Sequence, residues 1–153
     1  MRRIELLLNE YGHSHTNKLN ILIHAVAVPA IYFVTLGLLW SVPRPEVLLH
    51  FDVTWAHIAV VPMLYYYFRL SGPIGAAMTL LSVVALYGIM LLEGTRYEVW
   101  EVCLTLFVVM WILQFIGHKI EGKSPSFFKD VQFLLVGPAW WWVHWLKRMN
   151  IPY

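Results

Sequence analysis

The stretch LNILIHAVAVPAIYFVTLGLLW, residues 19–40, decides the class of this chain: it runs for 22 residues without an Asp, Glu, Lys or Arg. A helix needs about 20 such residues to cross the hydrocarbon of a bilayer. The rest of the sequence has the same character, with 153 residues, 59% hydrophobic, only 13% charged, and a mean hydropathy of +0.63. That is the composition of a membrane protein. Four further apolar stretches, residues 53–70, 72–92, 99–117 and 131–146, follow at short intervals. The pattern predicts an all-α, polytopic membrane helical bundle with about five spans, folded as a single domain over residues 1–153. Pro29, Pro62 and Pro138 fall inside apolar stretches, where neighbouring helices satisfy the freed backbone groups, so they predict local kinks and not breaks.

Working outward, Arg2 and Arg3 precede the run IELLLNEY, in which Ile4, Leu7, Leu8 and Tyr11 share one face. This predicts a short N-terminal interfacial helix rather than a cleaved signal peptide. Cys103 is the only cysteine, so the chain has no internal disulfide. A net charge of +2 is too small to argue for nucleic acid. There is no Gly-rich phosphate loop, no Ser/His/Asp arrangement and no CxxC pair.

Five crossings would gather the N-terminus and the loops near residues 71 and 118–130 on one face. That face holds Arg2, Arg3, Lys18, Arg69, Lys119, Lys123 and Lys129, with Arg44, Arg96, Lys147 and Arg148 on the other. The excess of positive charge predicts that the first face is cytoplasmic, in a bacterial inner membrane or, in a eukaryote, the endoplasmic reticulum. Trp40, Trp55, Tyr97, Trp100 and the run Trp140–Trp142 with Trp145 would form an aromatic belt at the opposite interface.

The histidines sort by the same topology. His13, His15 and His24 lie near the start of the first span and His118 at the end of the fourth, so all four converge on the cytoplasmic end; His50, His57 and His144 fall elsewhere and read as interfacial or structural. Neutral imidazole is the commonest transition-metal ligand, and polar clusters inside a membrane are costly and usually functional. His24 lies one helical turn from Asn20, and His118 lies one turn from Gln114 and from Glu121, so each has a polar neighbour on its own face. His15 and His24 are nine positions apart, on opposite sides of an ideal helix. They can meet only if His15 sits on a turn that folds back before the helix starts, and Ser14, Thr16 and Asn17 are suited to cap such a turn.

These residues carry a resemblance. The pattern of His15, Asn20, His24 and Pro29, followed by Gln114, Phe115, Gly117, His118, Glu121 and Pro125 and then by Gly137 and Pro138, resembles the small membrane family of Mpo-type 2-hydroxy fatty acid dioxygenases. It spans most of the chain, from Tyr11 to Pro138. The resemblance implies an Fe(2+) cofactor held by His15, His24 and His118, with a long-chain 2-hydroxy fatty acid and O2 as substrates, in fatty acid α-oxidation. The YGHSH run before the first block departs from the family pattern and leaves His13 as either a ligand or a bystander. Three imidazoles leave up to three positions on an octahedral ion, enough for a bidentate 2-hydroxy carboxylate and O2. Converting R-CH(OH)-COOH to R-COOH and CO2 removes four electrons, the number O2 accepts. No external reductant is needed, in keeping with the absence of a flavin, nicotinamide or iron–sulfur motif. Asn20 and Gln114 then orient ligands or substrate. Glu121 is a fourth ligand, a partner of His118 or a general base, and Lys119 and Lys123 attract the substrate carboxylate or are ordinary interfacial lysines. The rival readings are a membrane haem protein with His24 and His118 as axial ligands, and a lipid-binding protein without oxygenase activity. A di-iron desaturase is disfavoured, because the chain has no HxxxH or HxxHH box.

Overall fold

The computed structural model describes residues 3–13, 15–123 and 132–153. Arg2, Ser14, Pro125, Lys129 and the start of the last apolar stretch at Val131 lie outside the described residues. Among the described residues the chain is all helix: α1 (Arg3–Gly12), α2 (Lys18–Trp40), α3 (Glu46–His50), α4 (Trp55–Leu70), α5 (Gly72–Glu93), α6 (Val99–Glu121) and α7 (Gln132–Arg148).

The helix ends follow from local chemistry. Asn17 caps α2, its side chain accepting from the Leu19 amide at 2.9 Å. Thr54 and His57 cap the start of α4 reciprocally. The Ser71 side chain caps α5, and Pro73 sits in its first turn, where a missing N–H costs nothing. Gly122 ends α6 with φ +72°, the left-handed conformation that only glycine takes without strain.

Four long helices run antiparallel. Trp40, at the end of α2, lies 5.3 Å from the His57 ring at the start of α4 and donates to Glu93 at the end of α5, which fixes one end of the bundle. Midway, the Tyr32 hydroxyl meets Ser82 Oγ at 2.7 Å, and Ser82 in turn donates to the Met78 carbonyl. Helix α6 lies along α2 and makes its closest approach at two glycines. Gly37 faces Cys103 and Gly117 faces Asn20, and a Cβ on either glycine would collide with that side chain. Small residues let helix backbones come together where lipid gives no hydrophobic drive for association. Gly37→Ala and Gly117→Ala are therefore expected to cost about 1–3 kcal/mol each by overpacking. Gly72→Ala, with nothing within 4 Å of the added methyl, should leave the thermal midpoint in detergent unchanged. Equal midpoints for all three variants would show that the α2–α6 approach is not tight.

The outer surface is apolar. Leu22, Val61, Tyr65 and Val83 are each more than half exposed, as expected where the solvent is hydrocarbon. Helices α2, α5 and α6 are long and apolar enough to cross a membrane, whereas α4 and α7 have 16 and 17 residues. About five spans were expected from hydropathy, and among the described residues three helices are long and apolar enough to cross.

The last helix is where the structure departs most from the expected topology. Instead of carrying its tryptophans to the far end, α7 stays at the histidine end. Its Leu135 carbonyl accepts from the Tyr67 hydroxyl at 2.7 Å, and its Trp141 indole donates to the Ala25 carbonyl at 2.9 Å. Trp140 stands 5.3 Å from the His15 ring. The physical reason is the apolar face of α1. Ile4, Leu8 and Tyr11 are buried with Val136, Ala139, Val143 and Leu146 of α7 in one cluster, so two short helices cover each other across the end of the four-helix core.

Candidate metal centre

Helix α1 ends at Gly12 and α2 begins at Lys18, so His15 lies on the turn between them and not on α2. This brings the two histidines together although they are nine positions apart: the His15 and His24 ring centroids are 4.3 Å apart. His118, from the last turns of α6, completes the group, 5.2 Å from His15 and 4.8 Å from His24 between centroids. All three are buried, and one nitrogen from each lies within 4.8 Å of the others.

The hydrogen bonds of the rings fix their chemistry. His15 Nδ1 lies 2.8 Å from the Tyr11 carbonyl and His24 Nδ1 lies 3.0 Å from the Asn20 carbonyl. A carbonyl can only accept, so each Nδ1 carries the proton and donates it, and each Nε2 is left with a lone pair. Both Nε2 atoms, and Nδ1 of His118, are buried without a hydrogen-bond partner among the described residues. Buried polar atoms are rarely orphaned, since each costs about 1–3 kcal/mol. Burial also pulls the His15 imidazole down to about 4, against the opposing pull of the Tyr11 carbonyl, so the ring is neutral at pH 7. Three buried imidazoles with nitrogens within 4.8 Å of one another, two of the rings oriented by backbone carbonyls, are the donor set and the outer-shell arrangement of a transition-metal site. The residues fit a divalent iron ion and also other late first-row ions.

The turn that carries His15 is held by α6. Glu121 accepts from the Thr16 amide at 2.9 Å, the Thr16 hydroxyl, the Asn17 amide at 2.9 Å and Asn20 Nδ2 at 3.0 Å. Lys123 Nζ donates to the His13 carbonyl. The carboxylate thus satisfies amides at the start of α2, where a negative charge is favoured by the helix dipole. On the other side, Tyr11 stacks on His15 at 4.2 Å with an interplanar angle of 11°.

The structure therefore brings His15, His24 and His118 together, with Asn20 and Gln114 buried beside them. Glu121 faces the turn, Lys119 is exposed on the last turn of α6, and Lys123 is engaged by the turn. His13 is exposed. His57 caps α4, and His144 is exposed near Trp145. Sequence reasoning did not find the contacts of Tyr11 and Trp140 with His15. The four-residue spacing from Tyr11 to His15 was a usable signal for the first, whereas nothing local marks Trp140. Asn20→Ala and Gln114→Ala are expected to lower metal affinity about 10- to 100-fold, as changes around the ligands typically do. Titration of purified protein with a divalent ion would check this, and wild-type affinity in both variants would mean that the amides only pack the bundle.

An apolar cavity of about 460 Å³ opens beside this group. Gln114, His118 and Tyr11 line one end, and α2, α4, α6 and α7 line the rest as far as Leu39 and Ala59.

A family model described as 2-hydroxy-palmitic acid dioxygenase Mpo1-like matches residues 1–149. The chain belongs to this family. The match includes α1, the histidine turn and all of α7, so the elements that enclose the site are part of the family domain. No curated protein and no solved structure shows significant similarity to the chain.

Proposed function

We propose that this family member is an iron(II)-dependent dioxygenase that converts a long-chain 2-hydroxy fatty acid and O2 to the fatty acid one carbon shorter, CO2 and water. One observation carries the proposal: three buried imidazoles come together, and one of them, His118, lines an apolar cavity. His15, His24 and His118 hold the ion. Bound Fe(II) supplies an open coordination sphere at which the 2-hydroxy carboxylate and O2 are brought together. Gln114 lines the same end of the cavity as His118 and positions the polar head of the substrate. Lys119, exposed next to His118 in the last turn of α6, adds positive charge near this end of the bundle that attracts the carboxylate. Lys123 and Glu121 act on the His15 turn, while the cavity walls keep water from the acyl chain.

The haem reading fits less well. Axial histidines face each other across the plane of a macrocycle, and a third imidazole within 4.8 Å of both occupies that space.

The same proposal puts the histidine end on the cytoplasmic side of a membrane. Lys147 lines a cleft with Glu5 and His13, so it joins the histidine end with its neighbour Arg148. Among the described residues this leaves Arg44 and Arg96 at the other end, a stronger bias than the sequence topology implied.

Mass spectrometry of aerobic and anaerobic incubations tests the reaction. Iron-loaded protein given 2-hydroxypalmitic acid should make the shortened acid only with O2 and without added reductant. Palmitic acid should hardly turn over, because it lacks the hydroxyl needed for two-point attachment and loses that positioning advantage. Binding of the acid with no product under any of these conditions would favour a lipid-binding protein instead.

A further inference from the structure

The cavity beside His118 has two ends of different chemistry. At the histidine end the lining is polar. Along α2 it then runs from Val28 to Leu39, eleven positions, or about 17 Å at 1.5 Å per residue. Half the hydrocarbon thickness of a bilayer, the depth of one acyl chain, is about 15 Å. The hydroxyls that α2 brings to this wall are already committed: Tyr32 to Ser82, and Thr35 to the Ile31 carbonyl at 2.7 Å. The slot therefore offers an acyl chain an apolar path of about its own length.

The far end is formed by Leu39 in the last turn of α2 and Ala59 in the second turn of α4, with Met63 one turn further on. Ala59 is a single methyl in a wall otherwise built there of larger side chains, so space at this point depends on its small size.

We propose that Leu39 and Ala59 form the floor of the acyl slot and set the chain length the protein accepts. This inference rests on the dioxygenase reading of the site, but it concerns residues on the far side of the cavity from the histidines. A larger side chain at position 59 fills the terminal space and excludes the last methylenes of a long chain. A smaller one at position 39 extends the slot. Apolar pockets discriminate by roughly 10-fold or more per methylene.

The test measures binding as well as turnover. Metal-free protein is titrated with 2-hydroxylauric, 2-hydroxypalmitic and 2-hydroxystearic acids by displacement of a fluorescent fatty acid, and the iron-loaded protein is then assayed on the same three. Ala59→Phe should shift the lauric-to-palmitic preference at least about 10-fold toward the shorter acid. Leu39→Ala should move the palmitic-to-stearic preference toward the longer one, and it carries the test alone if the larger residue prevents folding. Val83→Phe, on the exposed face of α5, should keep the wild-type ratios. Wild-type ratios in both floor variants, or a shift of both in one direction, would overturn the floor while leaving the dioxygenase reading intact. Wild-type protein that binds none of the three acids would overturn both.

Discussion

Replacing His15, His24 or His118 singly by alanine is expected to weaken metal binding by more than about 100-fold, beyond the roughly 10- to 100-fold cost of changes around a ligand set. Each histidine brings one unpartnered nitrogen to the group, so each truncation removes a third of the donors. Elemental analysis of protein purified without chelator is the measurement, with about one iron or surrogate ion per wild-type chain. His57→Ala and His144→Ala are the controls, because one caps α4 and the other is exposed. Equal loss in all five variants would indicate general misfolding and remove the support for a localised site.

A second large effect is expected at Glu121, whose carboxylate bonds Thr16, Asn17 and Asn20 and none of the three imidazoles, yet holds the turn that delivers one of them. Its carboxylate accepts four hydrogen bonds from Thr16, Asn17 and Asn20, and bonds to a charged group are each worth about 1.5–3 kcal/mol. Glu121→Ala should lower metal affinity about 10- to 100-fold by letting the His15 turn move. It should also speed hydrogen exchange at the Thr16 and Asn17 amides in the metal-free protein. Glu121→Gln, which keeps one acceptor oxygen, should fall between alanine and wild type. A loss as deep as that of the histidine variants, with exchange unchanged, would instead make Glu121 a ligand.

The histidine group was legible in the sequence because it depends on quantities a sequence carries. Alternate crossings put His24 and His118 at one end, and the capping residues around His15 told of a turn that undoes the nine-residue spacing. The helices α2, α5 and α6 were legible for the same reason: their apolar length is a local property. The position of α7 was not. Its length and composition allow either a crossing or a cover, and the choice was made by the apolar face of α1, more than a hundred positions away. That error sent Trp140 to the wrong end of the molecule. Glu121 was found as a residue but not as a role, since its partners lie about a hundred positions upstream. The apolar cavity beside His118, lined mainly by four helices, had no linear signature.

Asn20 and His24 enter the world long before the helix they face. The ribosome adds about 5–20 residues per second, and 94 positions separate His24 from His118, so for roughly 5–20 seconds α2 exists without α6. During that interval an otherwise apolar helix carries an amide and an imidazole that have no α6 to pack against, and Gly117 has not yet been made to receive Asn20. The histidine turn waits in the same way for Glu121. The site is thus a late product of biogenesis: truncation before α6 releases a protein whose α2 never finds its partner, and truncation within the last turn of α6 leaves the two helices without the carboxylate that holds the His15 turn.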